Sequence, residues 1–144
     1  NNFYFLVEMS PNSPQDWLNL ARERAADADA IYKERPDSIA VVYLAGYAIE
    51  CSLKALLQKQ GISFPKSGRE GHNLRGLWQA SGLKLSDLKD EQGSKTFFLQ
   101  NWNTDLRYEI TLQTASGLET QELLNGAKQL TGWIQTQIKR AKSR

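Results

Sequence analysis

The sequence predicts an all-α fold, a four- to five-helix up-and-down bundle. Several segments carry apolar residues at steps of three and four, and short stretches rich in glycine and proline separate them. Only residues 110–112 have strand propensity, and an isolated strand without a partner is not stable. Residues 1–12 are interpreted as a flexible or vector-derived N-terminus, and residues 13–144 as one domain with one core.

The first helix is predicted to run from Ser13 to about Glu34. The Ser13 side chain can cap the helix, Pro14 suits the first helical position, and Asp16 places negative charge in the first turn. Alanines along this segment allow another helix to pack closely against it.

The second helix is predicted over Asp37–Gln60, after Pro36 and before the stop signal Gly61. It is apolar nearly all round over residues 39–49, which marks it as the central buried helix. No apolar stretch is expected to reach the roughly 20 residues that span a bilayer, so no membrane contact is expected.

The remainder of the chain is predicted to alternate short helices and loops, ending in a long amphipathic helix. A capping box, Ser116 with Glu119, marks the start of that last helix. The segments before it are an irregular stretch 62–71, a short helix Leu74–Ala80, a loop 86–93, a helix 94–106 and a loop 109–117.

Composition limits the chemistry that this chain can perform. A net charge of +2 is too small to indicate nucleic-acid binding by itself. One cysteine and one histidine cannot supply four protein ligands to zinc, and we expect no metal and no cofactor. Cys51 lies in the apolar second helix and is interpreted as a small core residue, which fits a reducing cytoplasm.

Three exceptions interrupt the apolar second helix: Gly46, Glu50 and Lys54. Steps of four residues place them on one helix face, and Glu before Lys is the favourable order for an ion pair. One interpretation is a solvated pair on the open edge of the helix. The alternative is a polar patch that lines a groove or a dimer interface, since charges are rarely buried without a reason.

Two further side chains are candidates for chemistry. His72 is the only histidine and would be the natural proton-transfer group near neutral pH, unless it only caps the short helix that follows. Arg107 lies in the segment 102–108 and could bind a phosphate bidentately. Alternatively, Arg107 could form an ion pair with Asp105 or Glu50 that anchors the following loop.

Taken in order, these clusters resemble HEPN domains (higher eukaryotes and prokaryotes nucleotide-binding). The similarity spans about Ser13 to Gln137. The matching stretches are Asp16-Trp17 with the alanine-rich first helix, 45–56 in the second helix, Phe64-Pro65, Gly71-His72-Asn73-Leu74 with Leu77, Asn101-Trp102 and Leu106-Arg107-Tyr108.

The resemblance implies a helical bundle that commonly dimerises. Many members are metal-independent ribonucleases of toxin–antitoxin, CRISPR or anti-phage systems, and others accompany small nucleotidyltransferases. The ribonuclease branch has an arginine followed, after four to six residues, by a histidine. No histidine follows Arg107 here, so that linear motif is absent, and only a composite of His72 and Arg107 could replace it.

Three hypotheses follow from this resemblance. The leading one is a dimeric nucleotide- or RNA-associated component of a toxin–antitoxin or defence system with a nucleotidyltransferase-type partner. The second is a metal-independent endoribonuclease with a non-standard site, and the third a structural dimerisation module without catalysis. The expected site has six residues: His72 and Arg107 as catalytic groups, with Tyr47, Glu50, Lys54 and Tyr108 as ligand contacts.

Overall fold

The computed structural model describes residues 10–110 and 117–141. Within these ranges the chain forms six α-helices and two short 3-10 turns, with no strand, which confirms the predicted all-α bundle. The elements are α1 (Pro14–Glu34), α2 (Ile39–Gln60), the single turn α3 (Gly68–Gly71), α4 (Leu74–Ala80), the 3-10 turn Leu85–Asp87, α5 (Ser94–Gln100), the 3-10 turn Thr104–Tyr108 and α6 (Thr120–Arg140).

Helix α2 is the centre of the bundle. It packs chiefly against α1 and α6 and also against α4, and 14 of its 22 residues are buried. By length and composition α2 could cross a bilayer, which corrects the prediction that no segment is long enough. However, 72% of its apolar window is buried inside the bundle, as expected for the core helix of a globular domain.

Side-chain caps fix the starts of the two long helices. Ser13 Oγ accepts a hydrogen bond from the Asp16 backbone N–H at 3.1 Å, as predicted. Helix α2 begins two residues later than predicted, because Ser38 Oγ accepts from the Ala40 N–H at 3.2 Å. It ends at Gly61, whose φ of 75° is left-handed and favours glycine.

The helix predicted over residues 94–106 is two separate elements, so that prediction was wrong. Trp102 turns into the bundle and its Nε1–H donates to the Val42 carbonyl oxygen at 3.2 Å. Asn103 then starts the 3-10 turn by accepting the Asp105 N–H at 2.8 Å. Burial of the indole, rather than local helix propensity, decides where α5 ends.

The last helix also starts later than predicted. Its first residue is Thr120, and Glu119 precedes it without a side-chain cap. Ser116, the other half of the predicted capping box, lies outside the described residues, as do residues 1–9 of the predicted N-terminal segment.

Candidate functional site

A polar cleft of about 630 Å³ lies between the loop that precedes α4 and the 3-10 turn that follows α5. Three basic side chains and two acidic ones face it, together with amides, a hydroxyl and an indole. The lining residues are Gly68, Arg69, Glu70, His72, Asn73, Trp102, Asn103, Thr104, Asp105 and Arg107.

His72 is held in this cleft from behind by α2. Its Nδ1 lies 2.8 Å from Glu50 Oε1, and the two residues are 22 positions apart in sequence. The His72 side chain is 32% exposed, whereas that of Glu50 is 2% exposed. The ring is therefore fixed at its buried edge and accessible at the other.

Glu50 is also half of a buried ion pair. Lys54 Nζ donates to Glu50 Oε2 at 3.0 Å and to the Lys66 carbonyl oxygen at 3.1 Å. The ammonium also lies 5.1 Å from the centroid of the Trp17 ring, a favourable cation–π distance. Because the side chains of Lys54 and Glu50 are only 1% and 2% exposed, the interpretation as a solvated pair is wrong.

Gly46 provides the space into which Trp102 packs. A Cβ at position 46 would lie 2.1 Å from Trp102 Cε2 and Nε1, so only glycine fits without movement. An indole of the same chain covers Gly46, and Glu50 and Lys54 are buried, so this face of α2 is not the dimer interface that one interpretation of the sequence allowed. Dimerisation through another surface stays a prediction.

The α2 polar face, Gly46 with Glu50 and Lys54, thus positions three separate parts of the cleft. Gly46 admits the indole that leads into the 3-10 turn, Glu50 holds the His72 ring, and Lys54 holds the preceding loop by its Lys66 carbonyl. Residues spaced by four on one helix bring distant segments of the chain together.

Arg107 lines the cleft from the 3-10 turn Thr104–Tyr108 and is exposed. Its Cζ lies 5.0 Å from the centroid of the Tyr108 ring. Interaction with the Tyr108 hydroxyl, and secondarily with that of Tyr43, raises the pKa of Arg107, so the guanidinium stays charged. In the part of the chain that the structure describes, it pairs with neither Asp105 nor Glu50, contrary to one interpretation of the sequence.

The six predicted site residues therefore occupy three kinds of position. His72 and Arg107 line the cleft. Glu50 and Lys54 lie buried behind it, where they hold other residues in place instead of facing a ligand. Tyr47, whose pKa is raised chiefly by burial, and the exposed Tyr108 lie outside the cleft lining.

Sequence reasoning did not assign Arg69 or Trp102 to the site. The single turn α3 carries Arg69 into the cleft one turn before His72. A basic residue just before the only histidine was the available signal for Arg69. Trp102 had no such signal, because its place depends on Gly46, far away in sequence.

These features define a small helical-bundle domain with a polar cleft that two arginines and the only histidine line. The HEPN domain family model matches residues 14–138, and the chain belongs to the HEPN domain family. The crystal structure of an archaeal HEPN homologue is similar to this chain, with a TM-score of 0.57, 20% identity, and coverage of 89% of this chain and 99% of that one.

At this identity the structural likeness shows the fold alone. No curated protein sequence matches the chain. Family membership supports a nucleotide- or RNA-associated role for the domain.

Proposed function

We propose that the protein is an RNA- or nucleotide-binding HEPN domain whose cleft holds a phosphate of the ligand. One observation carries the proposal: His72 and Arg107, from distant segments, line one cleft together with Arg69. A guanidinium offers paired N–H donors that match two phosphate oxygens. Arg107 is exposed and has no acidic partner among the described residues, and of its five N–H donors those not used by the Tyr108 and Tyr43 hydroxyls are available to a ligand.

Single-stranded RNA is the ligand that this surface favours. Tyr108 is 74% exposed, and its ring lies beside Arg107, which lines the cleft. An unpaired base can stack on an exposed aromatic ring while its phosphate meets the arginine. The acidic side chains of Glu70 and Asp105 at the cleft limit how many phosphates bind there at once.

The domain acts, in this proposal, as a cytoplasmic homodimer in a toxin–antitoxin or defence system with a nucleotidyltransferase-type partner. Support comes from its membership of the HEPN family, many of whose members work in such systems. The proposal expects the neighbouring reading frame to encode a small nucleotidyltransferase, and co-expression of the two proteins tests the partnership. A stable complex on size-exclusion chromatography is expected, and separate elution of the two proteins would contradict it.

A second function, metal-independent RNA cleavage, is favoured by the 2.8 Å contact between Glu50 and His72. The ribose 2′-hydroxyl would attack the adjacent phosphorus, forming a 2′,3′-cyclic phosphate and releasing the 5′-oxygen as a hydroxyl. His72 would serve as general base or acid for the proton, and Arg107 would stabilise charge on the phosphate.

A purely structural dimerisation module is less well supported. That hypothesis requires the polar side chains to pair with one another and leave no open cleft. Arg107 instead lines an open cleft of about 630 Å³, with no acidic partner among the described residues.

The test measures RNA binding in EDTA by fluorescence anisotropy, for the wild type and for the double variant His72→Ala/Arg107→Ala. We expect the double variant to bind RNA about tenfold more weakly than the wild type, or weaker still. Lys128→Ala is the matched control, because Lys128 is a surface cation that pairs with Asp29 at 2.7 Å, outside the cleft lining. Unchanged affinity in the double variant would refute the proposal.

The same samples run on a denaturing gel test cleavage. Fragments that appear in EDTA with the wild type and disappear with Arg107→Ala support the endoribonuclease. Intact RNA that binds tightly supports the binding function alone.

A further inference from the structure

The contact between Glu50 and His72 belongs to a chain of three charged or polar side chains. Lys54 Nζ donates to Glu50 Oε2 at 3.0 Å, and Glu50 Oε1 lies 2.8 Å from His72 Nδ1. The two carboxylate oxygens therefore have separate partners. The ammonium is itself held on its other side by the Lys66 carbonyl oxygen at 3.1 Å.

The donors and acceptors in this chain leave one arrangement of hydrogens. An ammonium only donates hydrogen bonds, and an ionised carboxylate only accepts them. Glu50 forms an ion pair with the Lys54 ammonium at 3.0 Å, and as a carboxylate it has no hydrogen to donate to the ring nitrogen. His72 Nδ1 must then carry the hydrogen of the Glu50–His72 bond.

We infer that Lys54 is a positioning residue that acts through Glu50 to fix the tautomer of His72, so that the neutral ring offers an unprotonated Nε2 to the cleft. The geometry supports this assignment because Nδ1 faces buried Glu50 while the ring remains partly exposed in the cleft. The role for a ligand rests on the proposed function, whereas the tautomer itself does not.

An unprotonated Nε2 accepts a hydrogen bond, so the ligand must present a donor at that point. The ribose 2′-hydroxyl is such a donor, and it distinguishes RNA from DNA. In the cleavage reaction the same nitrogen would take the 2′-hydroxyl proton as general base. Without Lys54, a protonated Glu50 would donate to Nδ1, and Nε2 would carry the hydrogen instead.

The tautomer can be measured directly, because His72 is the only histidine of the protein. A long-range ¹H–¹⁵N correlation spectrum of the full chain contains one imidazole and reports which nitrogen is protonated. At about pH 8.5 an ordinary imidazole is neutral. The wild type is expected to show a protonated Nδ1 and a bare Nε2, the reverse of the tautomer that free histidine prefers.

Variants separate the positioning role from simple packing. Lys54→Arg keeps the positive charge and is expected to retain the wild-type tautomer. Glu50→Leu/Lys54→Met removes the acceptor together with both charges and leaves no unpaired buried ion, so the fold is expected to persist. Its spectrum is expected to switch to a protonated Nε2, while the surface control Lys128→Met leaves the tautomer unchanged.

A protonated Nε2 in the wild type would overturn the inference, and so would a double variant that keeps the protonated Nδ1. The wild-type spectrum decides by itself if the double variant does not fold. Addition of a short single-stranded RNA to the same sample tests the proposed function separately. A protonated Nδ1 in a protein that binds no RNA would refute that function and leave the inference standing.

Discussion

Replacement of Gly46 by alanine tests how tightly α2 and Trp102 fit together. The new Cβ would lie 2.1 Å from Trp102 Cε2 and Nε1 and 2.6 Å from Cδ1, far inside van der Waals contact. The indole has little room to move, because it is buried and its ring centroid lies 5.9 Å from that of Tyr43. It also donates to the Val42 carbonyl oxygen at 3.2 Å.

The magnitude follows from three opposing contributions. Overpacking a filled site costs about 1–3 kcal/mol, and loss of the indole hydrogen bond costs about 1 kcal/mol. The better helix propensity of alanine raises the free energy of unfolding by about 1 kcal/mol. We therefore expect Gly46→Ala to lower the free energy of unfolding by about 1–3 kcal/mol.

Gly132 provides the matched control. It lies on the exposed side of α6, and a Cβ there would meet nothing within 4 Å. Gly132→Ala is expected to raise the free energy of unfolding by about 0.5–1 kcal/mol. Urea unfolding followed by circular dichroism measures both variants, and a Gly46→Ala protein as stable as the wild type would refute the packing argument.

Three other predictions concern the buried ion pair, the cleft and the core thiol. Lys54→Ala leaves Glu50 buried without its ammonium partner, so folding must either bury the bare charge or protonate the carboxyl. The variant is expected to lower the free energy of unfolding in urea by about 3–5 kcal/mol, more than Glu50→Leu/Lys54→Met, and equal losses would contradict this. Arg107→Ala, at an exposed position, is expected to change stability by less than about 0.5 kcal/mol. The same variant is expected to lower the slope of log affinity for single-stranded RNA against log salt by about 0.7, and an unchanged slope would show that Arg107 meets no phosphate. Burial raises the pKa of Cys51 from its ordinary 9.0 to about 12, so its contribution to stability is complete below pH 9.0 and is lost as pH rises toward 12. The free energy of unfolding, measured in urea across that pH range, is expected to fall by about 1.4 kcal/mol per pH unit, and this loss is expected to be absent from Cys51→Ala. The same pH dependence in both proteins would contradict the raised pKa of Cys51.

Local features of the fold were accessible from the sequence because their causes lie within a few residues. The Ser13 cap forms as predicted, and the short helix Leu74–Ala80 has the predicted bounds, with the Asn73 side chain accepting the Gly76 N–H at its start. The end of α5 was predicted wrongly because it depends on where Trp102 is buried, which no local pattern contains.

Part of the site could also be predicted from the sequence, where its contacts join residues that are close together in the chain. The pairing of Glu50 with Lys54 follows from their spacing on one helix, but whether the pair is buried depends on what covers that face. The contact of Glu50 with His72 joins residues 22 positions apart and became visible only in the folded chain. Sequence spacing identified the polar face of α2, and tertiary packing determined that it supports the cleft from behind.

In the proposed function, His72 and Arg107 bind one ligand together in one cleft. This claim can be tested by titrating the protein with a short single-stranded RNA in EDTA while the imidazole resonances of its only histidine are recorded. We predict that the His72 resonances shift with RNA in the wild type and do not shift at the same RNA concentrations in Arg107→Ala. RNA that binds while the His72 resonances stay in place would contradict the claim.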